Sequence, residues 1–91
     1  MANVILDKIK AGALVVDVRT PDEFEDEAYE GAVNIPVNQI NARQAELGSD
    51  KNRPLVLYCA SGARSTVAAA ILKGQGWTDV VNAGGLDDMP L

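Results

Sequence analysis

Pro54-Leu55-Val56-Leu57-Tyr58-Cys59-Ala60-Ser61-Gly62-Ala63-Arg64-Ser65 is the stretch that decides the fold. Pro54 to Tyr58 is an unbroken apolar run, the pattern of a strand buried on both faces. Such strands belong to parallel sheets covered by helices on each side. A short loop of small residues follows, and Ala63 to Lys73 reads as a helix ending near Gly74 and Gly76. Strand, glycine loop and helix start together make an anion cradle. Successive loop amides turn inward, and the helix N-terminus adds partial positive charge. Gly62 opens backbone conformations that a side chain would forbid.

The flanking segments alternate in the same way. Asn3 to Ala11 sets Ile5, Leu6 and Ile9 on one side and reads as a short helix stopped by Gly12. Leu14-Val15-Val16-Asp17-Val18 is a second buried strand. Thr20-Pro21-Asp22-Glu23 is a helix start, with Thr20 as N-cap, Pro21 in the first turn and Glu23 three residues after the cap. Ala32-Val33-Asn34-Ile35 is a short strand halted by Pro36. Asn38 to Leu47 is expected to be a helix with Gly48 past its end. Asp79-Val80-Val81-Asn82 is a last short strand, and Ala83-Gly84-Gly85 a tight turn. The fold class is therefore α/β, an open doubly wound parallel sheet with helices on both faces. Ligands in such sheets sit beyond the carboxyl ends of the strands, which picks out the residues after Val18 and after Tyr58.

Composition narrows the chemistry. The 91 residues fit one domain spanning 1–91, and 47% of them are hydrophobic, enough for one core without staples. Size scaling gives a folded surface near ~5,100 Å², so roughly 64% of the chain's surface is buried. The single cysteine cannot form an internal disulfide, which fits a reducing compartment or a fold that needs no bridge. The absence of histidine excludes a Ser-His-Asp triad, a Cys-His dyad and any histidine metal site. No metal and no cofactor is expected.

Thirteen acidic residues against eight basic ones give a net charge of −5, which argues against nucleic acid as a partner. Asp22, Glu23, Glu25, Asp26, Glu27 and Glu30 form an acidic stretch, read either as a solvated face or as a docking face for a basic protein. No apolar run is long enough to span a membrane, and the start Met1-Ala2-Asn3-Val4-Ile5-Leu6-Asp7 lacks a targeting pattern. The expected location is cytoplasmic, with the periplasm open if a leader has been removed.

Cys59 carries the chemistry. It ends a strand, leads the glycine loop and has Arg64 five positions on, a permanent cation with forked donors. Amides, helix end and arginine are expected to favour the thiolate, with all the nearby charge positive. Small residues at Ala60, Ser61 and Ala63 let the loop close around one atom. Ser65 reads as a capping hydroxyl or as a hydrogen-bond donor to the sulfur or substrate. Asp17 and Arg19 end the first strand near the site, as a structural bridge or as substrate contacts. Trp77 reads as packing, Tyr58 as buried beside Cys59, and Asn82 as a turn former.

On these residues the chain resembles the rhodanese-like sulfurtransferases. Asp17-Val18-Arg19-Thr20-Pro21-Asp22-Glu23-Phe24 is similar to the family's first signature and Gly31-Ala32-Val33-Asn34-Ile35-Pro36 to its second. Cys59-Ala60-Ser61-Gly62-Ala63-Arg64-Ser65 is similar to its active-site loop, and Gly84-Gly85-Leu86 to its closing turn. The chain departs from many members at Glu27-Ala28-Tyr29-Glu30, where a Gly-His-Ile run is usual, and in the short run after Leu86.

The resemblance implies a parallel sheet of about five strands and a thiosulfate sulfurtransferase. Cys59 would accept a sulfane sulfur from thiosulfate as a persulfide and pass it to cyanide or a thiol. Arg64 would hold the sulfonate, and the amides from Ala60 to Ser65 would cradle the persulfide. Without a second cysteine, the sulfur must leave to an outside nucleophile. Two alternatives stand beside this reading. One is a protein-directed sulfur relay module. The other is a small cysteine phosphatase or arsenate reductase, disfavoured because four residues separate Cys59 from Arg64 where the phosphatases of this architecture have five.

Overall fold

The computed structural model describes residues 3–90, so Met1, Ala2 and Leu91, on which the reading of both termini rests, lie outside it. The elements run α1 (Val4–Lys10), β1 (Leu14–Asp17), α2 (Pro21–Asp26), β2 (Val33–Asn34), β3 (Leu55–Cys59), α3 (Ala63–Gly74) and β4 (Val80–Gly85). The strands form one parallel sheet in the order β2-β1-β3-β4. Every run read as a strand is one, and the sheet holds four strands among the described residues, where the resemblance implied about five. The chain has four such apolar runs, and the rest of the described backbone is helix, 3-10 turn or loop.

The order places the two most apolar strands, β1 and β3, in the middle. Side chains alternate between faces along each. Val16, Val18, Leu55, Leu57 and Cys59 pack with Ala68, Ala69 and Leu72 of α3 and with Ile40, Leu47 and Trp77. Val15, Val56 and Tyr58 pack on the other face with Ile5 and Ile9 of α1, Tyr29 and Met89. Burying both faces is what permits continuous apolar strands here. The folded surface, 5091 Å², agrees with the size-scaling expectation. Among the described residues, no helix is long and apolar enough to cross a membrane.

Two local readings are corrected. The segment from Asn38 to Leu47 is not one helix but two 3-10 turns, Val37–Gln39 and Gln44–Leu47. Asparagine competes with helical hydrogen bonding through its own side chain. Here the Gln44 amide donates to both the Asn41 carbonyl and its side-chain oxygen, while Gln44 Oε1 accepts from the Trp77 indole at 3.0 Å. Apart from Arg43 N–H to the Gln39 carbonyl at 3.0 Å, the segment's backbone hydrogen bonds are mostly of the shorter 3-10 type, and packing of Ile40 and Leu47 into the core anchors it.

Ala83-Gly84-Gly85, expected as a turn, instead continues β4. Between Leu57↔Asn82 and Cys59↔Gly85 the register slips, so β4 bulges beside the end of β3.

The sheet reverses direction of travel at β1. The chain goes from β1 outward to β2, then returns to the other side of β1 to build β3 and β4. The crevice outside the carboxyl ends of β1 and β3 is therefore the switch point, where such sheets bind ligands. Val18 and Cys59 end on it.

Candidate active site

Cys59 is the last residue of β3 and is 1% exposed. The chain then turns through Ala60 and Ser61 to Gly62, whose φ of 101° is the left-handed conformation that favours glycine. That turn aims the Gly62 N–H back at the Cys59 Sγ, 3.0 Å away. Burial pushes the thiol's pKa up. The Ser65 hydroxyl and the amides of Ser65, Ser61 and Gly62 outweigh that, and the result is a fall from 9.0 to about 7. The site therefore favours the thiolate, the nucleophilic form.

Ser65 sits on the buried face of α3, one turn before Ala68 and Ala69 and two before Leu72. Its Oγ lies 3.5 Å from the sulfur and 2.6 Å from Asn82 Oδ1. A hydroxyl has one proton, so the nearer Asn82 oxygen competes with the sulfur for it. Asn82 is thus more than a turn former. Its Oδ1 also accepts from the Gly84 N–H at 2.9 Å, and its amide donates to Thr66 Oγ1 at 2.7 Å. The β4 bulge brings this side chain to the loop, and sequence spacing carried no signal of it.

Gly85 closes the other side of the loop. A Cβ there would sit 2.9 Å from the Ala60 carbonyl carbon and closer still to its oxygen, so only glycine allows this approach. Its N–H is held by Asp88 Oδ2 at 2.8 Å.

Asp17 and Arg19 form a bridge. Arg19 Nη2 lies 2.7 Å from Asp17 Oδ2, and the Arg19 N–H also donates to Asp17. Both are buried, Asp17 at 0% exposure. The guanidinium stands 5.6 Å over the Tyr58 ring, and the Tyr58 hydroxyl accepts from the Tyr29 N–H at 3.0 Å. Burial above all pushes the Tyr58 phenol up to about 12. This group lies on the face of Tyr58, opposite to that of Cys59, and braces the ends of β1 and β3.

Arg64 is in the first turn of α3, as expected. The expectation that all nearby charge is positive does not hold. The Arg64 Nη1 and Nη2 donate to Glu23 Oε1 and Oε2 at 2.6 and 3.0 Å. Glu23 is the residue that closes the α2 capping box. Arg64 and then the Thr20 amide hold its carboxyl at about 2. Glu23 was legible as a capping residue, but nothing in a separation of 41 positions pointed to Arg64. The structure thus gathers Cys59, Gly62, Ser65, Asn82 and Gly85 tightly, leaves Ala60, Ser61 and Ala63 on the exposed rim, and sets Arg64 and Glu23 half-exposed beside them.

A sulfur at the base of an amide-lined loop on this sheet matches a known pattern. The family model for the Rhodanese-like domain matches residues 1–89. The chain belongs to the rhodanese-like family. This rhodanese-like chain is 41% identical over 76 residues to the thiosulfate sulfurtransferase PspE of Escherichia coli, covering 84% of this chain and 73% of that protein.

A solved E. coli rhodanese with anions superposes with a TM-score of 0.81 at 41% identity, over 87% of this chain and 95% of that one. The human single-domain sulfurtransferase TSTD1 does so with a TM-score of 0.75 at 27% identity, over 88% and 82%. These relatives support a rhodanese-type sulfurtransferase.

Proposed function

We propose that the chain folds as one domain that moves a sulfane sulfur from thiosulfate, or another persulfide donor, to a thiophilic acceptor through a Cys59 persulfide. The observation that carries this reading is the Gly62 N–H aimed at a sulfur whose pKa lies near 7, at the N-terminus of α3. The Cys59 thiolate attacks the outer sulfur of thiosulfate. The sulfur–sulfur bond breaks, and sulfite leaves with the electron pair, as in thiol–disulfide exchange. Loop amides that stabilise a thiolate also stabilise the terminal sulfur of a persulfide, which carries the same charge one atom further out. Arg64 meets the sulfonate with the N–H groups that Glu23 leaves unused. Cyanide or a thiol then attacks the terminal sulfur and regenerates the Cys59 thiolate. The chain has no second cysteine, so the acceptor is another molecule.

Intact-protein mass after exposure to thiosulfate tests this. The expected result is a gain of one sulfur atom on Cys59, removed by cyanide and absent in Cys59→Ser. No gain from thiosulfate or from any thiol persulfide overturns the reading.

A further inference from the structure

We propose that Glu23 is a specificity-determining residue that competes with an anionic sulfur donor for Arg64 and tunes the site away from small dianions. This rests on the sulfurtransferase reading above.

Arg64 is the cation nearest the cup in sequence, yet both of its terminal nitrogens are engaged by Glu23 in a two-pronged pair. Such fork-to-carboxylate pairs are the geometry arginine uses to hold anionic ligands. Glu23 therefore fills the position that a sulfonate or carboxylate of a donor would take. It is not free to swing away. Its Oε1 also accepts from the Thr20 N–H and hydroxyl, both at 3.2 Å, and so ties the carboxylate to the start of α2.

The pair is reachable from solvent, with Arg64 and Glu23 side chains 35% and 34% exposed. With Cys59 ionised, the thiolate, Arg64 and Glu23 sum to one negative charge at the mouth. Asp22, Glu25, Asp26 and Glu27, all exposed on or just after α2, deepen it. A dianion such as thiosulfate meets this field with twice the penalty of a monoanion, and an uncharged reagent meets none. A donor that carries its sulfane sulfur with less charge is favoured accordingly.

The test uses Glu23→Gln, which keeps an acceptor for the Thr20 N–H and removes the charge. Glu25→Gln, an exposed acid of the same helix, is the control for net charge. Two readouts are taken on the full chain, with the unfolding midpoint checked for each variant. The first is the KM and kcat for thiosulfate. The second is the alkylation rate of Cys59 by iodoacetate divided by that by iodoacetamide, a pair differing in charge.

For Glu23→Gln the expected result is a fall in thiosulfate KM on the order of three- to tenfold with kcat little changed. The iodoacetate preference should rise by about twofold to threefold, both from Coulomb energies at the water-exposed rim. An unchanged or raised KM, or an alkylation ratio no different from that of Glu25→Gln, overturns the proposal. If the wild-type chain takes sulfur neither from thiosulfate nor from a thiol persulfide, the sulfurtransferase reading falls, while the alkylation ratio still decides whether Glu23 sets the field at Cys59.

Discussion

Removing the Cys59 thiol should erase a pH-dependent part of the protein's stability. The folded state holds this thiol at about 7 against an ordinary 9.0. Between those values the native chain carries a thiolate while the unfolded chain still binds the proton, so stability rises with pH. The increment is fully present above pH 9 and is lost as pH falls through 7. Two pH units at about 1.4 kcal/mol each amount to roughly 3 kcal/mol. Against the ~5–14 kcal/mol expected of a domain this size, that is a large share.

The background is unusually clean. The chain has no histidine, so no other side chain has its ordinary pKa in that window. Urea unfolding of the wild type and of Cys59→Ser, under reducing conditions from pH 6 to 9.5, measures it. The stability difference between them should grow by about 2–3 kcal/mol across the range, with the variant nearly flat. A difference that stays constant within about 0.5 kcal/mol would refute the claim that Gly62, Ser61 and Ser65 hold a thiolate.

Three further substitutions probe the scaffold. Arg19→Met leaves the fully buried Asp17 without its ion-pair partner. It should cost about 3–5 kcal/mol in urea unfolding, and a loss under about 1 kcal/mol would contradict the bracing role. Gly85→Ala drives a methyl into the Ala60 carbonyl and should cost roughly 1–3 kcal/mol while slowing Cys59 alkylation. Gly74→Ala, at the end of α3 with open space around its Cα, should instead be neutral or stabilising by up to about 1 kcal/mol.

Much of this was legible from local chemistry. The strand read over Pro54 to Tyr58, observed as Leu55–Cys59, was legible because an apolar run that short between turn residues fits a strand buried on both faces better than a helix. The Thr20-Pro21-Asp22-Glu23 start of α2 was legible because capping is a contact between residues three apart. Cys59 before a small glycine loop and a helix start marked the candidate site for the same reason, since the amides that hold the sulfur belong to the next six residues. Where the reading failed, the deciding contact was distant. Asn38 to Leu47 had helical spacing, but the segment is held by its packing and by the Gln44–Trp77 hydrogen bond, not by its own propensity.

By itself, then, the sequence determined the four strands, the α/β layering and the thiol at the strand end, because each follows from periodicity or from neighbours within a few residues. It also determined that the thiol acts without histidine or a second cysteine. Only the tertiary structure decided which charge Arg64 pairs with. The β4 bulge brings Asn82 and Gly85 to the loop, and the parallel sheet brings Glu23 to Arg64 across 41 positions. Those contacts depend on where the carboxyl ends of β1, β3 and β4 meet, a geometry fixed by packing the sheet between its helices rather than by any local run of residues.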